Sequence, residues 1–126
     1  MAMEQTEKIK QAVTDFVKGG DTSNIELLDT VLHKEFRVTS NAFMGTQGIT
    51  IIDKQTYLKN IKEGTFGGLS RSMDIELVDV SGSIAMVKLR LESPENYFVS
   101  YNALVADANG NWQLINNHAV VTAKNA

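Results

Sequence analysis

After Arg71 the sequence repeats one pattern, in which apolar and polar residues alternate over a stretch and a short turn follows. Alternation with a period of two predicts strands, here over 72–80, 84–92, 97–106 and 112–122. Because the turns between the stretches are short, neighbouring strands are predicted to be antiparallel. The second stretch has the clearest pattern, and its predicted buried face consists of Ala85, Val87, Leu89 and Leu91.

The N-terminal half of the chain favours helices, because its apolar residues recur every three or four positions. This spacing predicts a first helix over 3–17 that ends at Gly19-Gly20. A second helix is predicted to follow, with an N-cap from one of the residues 21–23. His33 then lies near the end of this helix, one turn after Asp29, with which it is predicted to pair.

A third helix is predicted after Asp53, whose side chain can cap it, and two short strands are predicted over 36–43 and 49–52. Helices that precede a run of antiparallel strands indicate an α+β fold. We therefore expect the N-terminal helices to pack on one face of a curved, mainly antiparallel sheet. The length of 126 residues is typical of one domain, so residues 1–126 are expected to form a single unit.

The composition excludes several classes of function. Twelve basic and fifteen acidic residues give a net charge of -3 without a basic run, so nucleic acid is not expected as a partner. The apolar runs are too short to span a bilayer and no signal-peptide pattern opens the chain, so we expect a cytoplasmic protein without membrane contact. The chain lacks cysteine and its two histidines are not spaced as metal ligands, so neither a metal nor a cofactor is expected.

Polar side chains interrupt the last predicted strand. Strict alternation places on one of its faces Trp112, Leu114, Asn116, His118 and Val120. If this face lines the interior, the amide of Asn116 and the imidazole of His118 need hydrogen-bond partners in the protein, in water or in a ligand. We therefore predict a small-molecule pocket between helices and sheet, with these two side chains among its polar groups.

Further side chains are candidates for contacts with that ligand, namely Arg37, Tyr57 and Tyr101. The arginine can hold an anionic group, and each tyrosine offers one hydroxyl on an aromatic ring. Two alternatives stay open. The chain could be a dimerisation or protein-association module whose interior is filled by side chains. It could also be a lyase- or isomerase-type enzyme in which Asn116 orients His118 as the general base.

Five stretches of the sequence resemble the nuclear-transport-factor-2-like superfamily, with its SnoaL-like proteins and ketosteroid isomerases, and are similar above all to its lumazine-binding branch. These stretches are 28–37, 53–58, 66–68, 79–88 and 112–117. The resemblance implies a cystatin-like cone, in which helices close a curved sheet around a cavity. It also implies a homodimer formed through the outer face of the sheet.

The resemblance does not extend to the catalytic residues of the isomerases. Those enzymes use a tyrosine on the first helix and a carboxylate early on the first strand. In this chain the corresponding helix carries Phe16, and residues 37–41 contain neither Asp nor Glu. The similarity therefore implies the isomerase fold without its mechanism.

Overall fold

The computed structural model describes residues 2–41 and 48–124, which form three helices and six strands. The helices are α1 (Ala2–Asp21), α2 (Ile25–Val31) and α3 (Lys54–Lys62). The strands are β1 (Leu32–Asn41), β2 (Ile49–Asp53), β3 (Ser72–Ser81), β4 (Ile84–Glu92), β5 (Asn96–Ala106) and β6 (Trp112–Ala123). Within these ranges, no helix is long and apolar enough to cross a membrane.

The six strands form one sheet in the order β2-β1-β6-β5-β4-β3. Neighbouring strands are antiparallel except β1 and β6, which run parallel. The helices pack on one face of the sheet, which we call the inner face, and the opposite face is the outer face. The predicted α+β fold, with helices on a mainly antiparallel sheet, is confirmed. The predicted end of β1 at Phe43 lies outside the described residues.

The hydrophobic core lies between the inner face and the helices. Leu89, Leu104 and Leu114 of the sheet are fully buried, and α1 contributes Ile9 and Val13. Burial of an aliphatic side chain of this size stabilises the fold by about 1.5–3 kcal/mol. The predicted buried face of β4 is confirmed, since its four residues are at most 6% exposed.

The end of α1 and the start of α2 differ from the sequence-based prediction. α1 does not end at its two glycines but continues through them to Asp21. A Cβ on Gly19 would lie 2.8 Å from the Leu28 side chain, so glycine allows α2 to approach α1 this closely. The N-cap of α2 is Asn24, whose Oδ1 accepts from the Leu27 N–H at 3.1 Å, rather than one of the three residues before it.

His33 belongs to β1, because α2 ends two residues before it. Its Nδ1 accepts a hydrogen bond from the backbone N–H of Glu35 at 3.0 Å. Asp29 instead forms an ion pair with Lys54 at 3.0 Å. The predicted helical pair of His33 and Asp29 is therefore wrong.

A β-bulge in β6 changes which of its residues face the helices. Ala103 of β5 pairs with Asn116 and Leu104 pairs with Leu114, so Ile115 is the extra residue. An extra residue reverses the alternation of faces beyond it. Beyond the bulge, the inner face carries Asn117, Ala119 and Val121, and the outer face carries Asn116, His118 and Val120. The prediction that Asn116 and His118 share a face with Trp112 is wrong for this reason.

Candidate functional site

Four of the five predicted site residues lie together on the outer face. Tyr101 pairs with His118, and on the next row Asn116 pairs with Arg37. The Nδ2 of Asn116 donates to the backbone oxygen of Arg37 at 3.2 Å and to Oγ1 of Thr39 at 3.4 Å, which ties β6 to β1. The structure thus brings these residues together, but their predicted place in the interior is wrong.

The imidazole of His118 is exposed, and the Tyr101 ring beside it is 40% exposed. The ammonium of Lys88 lies 5.7 Å from the centre of the Tyr101 ring, a cation–π contact on the surface. Within the described ranges, both hydrogen bonds of the Asn116 side chain run to β1 and neither orients His118. In the same ranges, no group of three His, Asp or Glu side chains is placed to hold a metal ion.

The fifth predicted residue, Tyr57 of α3, lies on the other side of the sheet, in the core. Its ring packs on the rings of Phe16, Phe36 and Phe66 at centroid distances of 5.4–5.9 Å. Burial raises the pKa of Tyr57 well above its usual value, so the hydroxyl is protonated at neutral pH. The ring is therefore part of the hydrophobic core, and its neutral hydroxyl lies near the charged side chains of Arg71 and Asp21.

Arg71 lies near the Tyr57 hydroxyl and is a residue that sequence analysis missed. A Cβ on Gly20 would lie 3.3 Å from the Tyr57 oxygen and 3.8 Å from Nη2 of Arg71, so both groups approach the end of α1. The Nε of Arg71 donates to Asp21 at 2.7 Å, and its guanidinium lies 5.0 Å from the centre of the Phe98 ring. The arginine and its partner are 50 residues apart, so no local pattern indicates the pair.

Three polar side chains on the inner face form a buried group that we call the amide cluster, Ser100, Asn102 and Asn117. The Nδ2 of Asn117 donates to Oγ of Ser100 and to Oδ1 of Asn102, both at 2.7 Å. Asn102 is fully buried, and its own Nδ2 has no hydrogen-bond partner among residues 2–41 and 48–124. Sequence analysis missed this cluster, because strict alternation from Trp112 places Asn117 on the outer face.

Burial along the inner face differs between its two ends. At one end, Ala85, Leu104 and Leu114 are at most 1% exposed. The other end, which we call the open end, carries the half-buried side chains of Met73, Phe98, Ala119 and Val121. The amide cluster lies between the two ends, since Ser100 and Asn102 follow Phe98 along the inner face of β5. On β4 to β6 the inner face is therefore covered more fully on one side of the cluster than on the other, whereas the inner face of β3 is half-buried along its whole length.

A groove of about 440 Å³ borders the open end. Its walls come mainly from outer-face residues of three strands, which are Ser72, Asp74, Arg90, Glu92, Tyr97 and Val99. Met73, Leu91 and Phe98, which belong to the inner face, complete the wall. The end of the sheet is thus a place where solvent reaches residues of both faces. A smaller cavity of about 180 Å³ lies elsewhere, between the start of α1 and Trp112.

Three helices packed on this six-stranded sheet define the nuclear-transport-factor-2-like fold. An NTF2-like protein of unknown function from Silicibacter pomeroyi DSS-3 has the same fold, with a TM-score of 0.83, 12% identity and coverage of 97% of this chain and 99% of that chain. One from Shewanella baltica OS155 gives a TM-score of 0.81, 12% identity and 97% coverage of both chains. A ketosteroid isomerase-like protein from Erwinia carotovora atroseptica SCRI1043 gives a TM-score of 0.73, 13% identity and coverage of 90% and 92%.

No curated protein matches the chain in sequence. The family profile described as "Putative lumazine-binding" matches residues 4–118, and the chain belongs to this family. The predicted superfamily and its lumazine-binding branch are therefore confirmed.

Proposed function

We propose that this protein binds a small, mainly apolar molecule between the helices and the inner face of the sheet, at the open end. The observation that carries the proposal is the unequal burial of the inner face. Phe98, Ala119 and Val121 are only half-buried, although they continue the strands whose inner-face residues Leu104 and Leu114 are fully buried. A concave, mostly apolar surface with a few polar groups is typical of ligand sites. Membership of a family named for lumazine binding supports the same function.

The proposed site keeps Tyr57 from the predicted residues and adds the amide cluster as its polar wall. Arg37, Tyr101, Asn116 and His118 lie on the other face of the sheet, so they make no contact with this ligand. A lyase or isomerase reaction with His118 as the base draws no support from this geometry, because a sheet separates the imidazole from the proposed ligand.

Two alanines allow a matched test of the ligand site. Ala119 points to the inner face at the open end, and Ala108 is exposed in the turn between β5 and β6. We expect a bound compound to raise the unfolding temperature of the wild type and of Ala108→Trp but not of Ala119→Trp, whose indole would fill the site. A ligand at 100 times its Kd stabilises a protein by about 2.7 kcal/mol, which is readily measured.

The measurement is a thermal-shift screen of small heteroaromatic metabolites, with circular dichroism to verify that both variants fold. Equal stabilisation of Ala119→Trp and the wild type would place the ligand elsewhere. A panel in which no compound stabilises the wild type would remove the binding function.

A specific observation also favours a second function, self-association through the outer face. This face carries large apolar side chains that are 40–59% exposed, which are Leu77, Ile84, Met86, Tyr97, Tyr101 and Val120. A contiguous exposed apolar patch marks an interaction surface. The partner that we propose is a second copy of the chain, in agreement with the homodimer that the family resemblance implies.

Charge placed on the outer face tests this association. Because burial of an unpaired ammonium is costly, Met86→Lys is expected to shift the protein from dimer to monomer. Gln55→Lys, on the exposed surface of α3, adds the same charge and should leave the dimer intact. Sedimentation equilibrium gives the mass of each variant, and a wild type that sediments as a monomer at all concentrations would refute the proposal.

A further inference from the structure

We infer that self-association through the outer face is controlled by protonation of His118. The dimer forms while the imidazole is neutral, and it dissociates when the imidazole becomes an imidazolium. This inference rests on the self-association proposed above, since it assigns the regulation of that same surface.

His118 is exposed and lies in the middle of the outer face, within a row of paired residues that crosses all six strands. In the order of the strands, this row consists of Ile51, Thr39, His118, Tyr101, Lys88 and Leu77. Both ends of the row are apolar and open to solvent, since Ile51 is 66% exposed and Leu77 is 54% exposed. A partner that buries both ends of the row must therefore also cover the imidazole between them.

The charged side chains nearest to His118 by sheet register are both cations. Arg37 on β1 lies one row away, and Lys88 on β4 lies in the same row, beyond Tyr101. β5 and β6 contain neither Asp nor Glu, and the one carboxylate of β1, that of Glu35, lies 3.8 Å from the Arg37 guanidinium. An imidazolium at this position would thus gain no counter-ion from its own strand or from the strands beside it.

The remaining charges of the outer face do not change this balance. Its other carboxylates lie on β2, β3 and β4, and they are Asp53, Asp74, Glu76, Asp79 and Glu92. Glu76 lies 3.4 Å from the Lys88 ammonium and 2.6 Å from Nε of Arg90, so two cations share one carboxylate. Glu92 is paired with Lys124 at 2.5 Å. All five carboxylates lie on strands that are not adjacent to β6.

A second copy of the chain presents no carboxylate to His118 either. A homodimer of this kind has two-fold symmetry, so the same patch of each copy meets the other. The exposed apolar side chains extend from Ile51 on β2 to Leu77 on β3, so the centre of the face lies between β6 and β5. A two-fold axis at this centre brings β6 of one copy against β5 or β6 of the other, and both strands lack Asp and Glu.

The dimer should therefore bind fewer protons than two separate chains. Burial of a charge without a counter-ion is costly, whereas burial of a neutral imidazole costs much less. Histidine side chains change charge between pH 5 and 8, so at the acidic end of this window each chain must release a proton on assembly. Because assembly releases protons, the affinity of the dimer falls as the pH falls. Aspartate and glutamate usually titrate near pH 4 and contribute little in this window.

Sedimentation equilibrium at about pH 7.5 and about pH 5.5 tests this inference, with circular dichroism to verify the fold at both pH values. We expect the dimer Kd of the wild type to increase at least about 10-fold at the lower pH. His118→Gln, which is neutral at both pH values, should dimerise with the same Kd at each. His118→Lys, which is charged at both, should be a monomer at each.

The second histidine of the chain supplies the matched control. His33 is half-buried at the start of β1, where its Nδ1 accepts from the Glu35 N–H at 3.0 Å. His33→Gln removes the same titratable group as His118→Gln and should keep the pH dependence of the wild type.

The outcomes distinguish the regulation from the association itself. A wild-type dimer whose Kd is the same at both pH values overturns the inference while self-association stands. A dimer that is tighter at the lower pH also overturns it, because the imidazolium would then meet a carboxylate of the partner. A pH dependence that persists in His118→Gln, or is lost in His33→Gln, assigns the effect to another group. A wild type that is a monomer at both pH values refutes the self-association and this inference together.

Discussion

Apolar side chains are usually buried and polar side chains exposed, and the two faces of strands β3 to β6 depart from this rule in opposite ways. The inner face buries neutral amides and a hydroxyl among aliphatic residues, and one of its donors, Nδ2 of Asn102, has no hydrogen-bond partner among residues 2–41 and 48–124. The outer face exposes apolar side chains beside charged ones, including the ion pairs of Glu76 with Lys88 and Arg90. Both exceptions cost free energy in the isolated chain, the first through an unsatisfied donor and the second through hydrated apolar surface. These two exceptions agree with the two proposals, a small-molecule ligand at the inner face and a second copy of the chain at the outer face.

Leucines on the two faces give the largest contrast. Leu89 is fully buried on the inner face, and Leu77 is 54% exposed on the outer face. Leu89→Ala should lower the free energy of unfolding by about 2–5 kcal/mol, because it leaves a cavity. Leu77→Ala should change it by no more than about 0.5 kcal/mol in the monomer, because the site is already hydrated. Urea denaturation at low protein concentration measures both, and similar losses would contradict the distinction between the faces.

The amide cluster should give a smaller, non-additive effect. Asn102→Ala leaves the donor of Asn117 with one acceptor fewer, at a cost of about 1–3 kcal/mol. In the double variant with Asn117→Ala that penalty disappears, so the two losses should differ from additivity by about 0.5–3 kcal/mol. Chemical denaturation of the wild type, the two single variants and the double variant completes this double-mutant cycle. Strict additivity would mean that the two amides do not interact in solution.

The outer-face ion pairs should give the smallest effect. The Arg90 hydrogen bond, followed by Lys88, holds the pKa of Glu76 below its usual value of 4.5. The stability that this carboxylate contributes is therefore present above pH 4.5 and is lost as the pH falls through the lowered pKa. Glu76→Gln should reduce Tm at pH 7 and leave it unchanged once the wild-type carboxyl is protonated. Glu63→Gln at the exposed end of α3 is the matched control. An equal change in Tm for both variants would mean that the effect comes from the net charge and not from the ion pairs of Glu76.

Local patterns were sufficient to predict most of the fold. Turn residues and alternation placed the four C-terminal strands within one residue of their observed ends. The cap of α3 was predicted from Asp53 alone, and its Oδ1 indeed accepts from the Thr56 N–H at 2.8 Å. The end of α1 could not be predicted in this way, because the role of Gly19 depends on Leu28 of another helix. The low helix propensity of glycine is overridden where a tertiary contact requires a residue without a side chain.

The candidate site was less predictable than the fold. The sequence predicted that Asn116 and His118 form a ligand site with residues of other elements, and the structure places them beside Arg37 and Tyr101. The predicted face of these residues was wrong, because the alternation of residues before Ile115 does not show that Ile115 is the extra residue of a bulge. The residues that the structure adds, Asn102, Asn117 and Arg71, depend on contacts between distant segments. The contact between the two asparagines follows from sheet register, which the hairpin turns alone do not fix, and the contact of Arg71 follows from where α1 ends.

The parallel pairing of β1 with β6 has a consequence for how the chain folds. Strands β3 to β6 are joined by tight turns, and hairpins of this kind form within microseconds. β1 meets β6 across a separation of 79 residues, as between Arg37 and Asn116, so the loop-closure entropy must be overcome before this contact contributes. We expect the C-terminal meander to assemble first and to serve as a template on which β1 docks late. Nascent chains emerging from the ribosome would therefore hold β1 and β2 apart from the other strands until β6 has been synthesised.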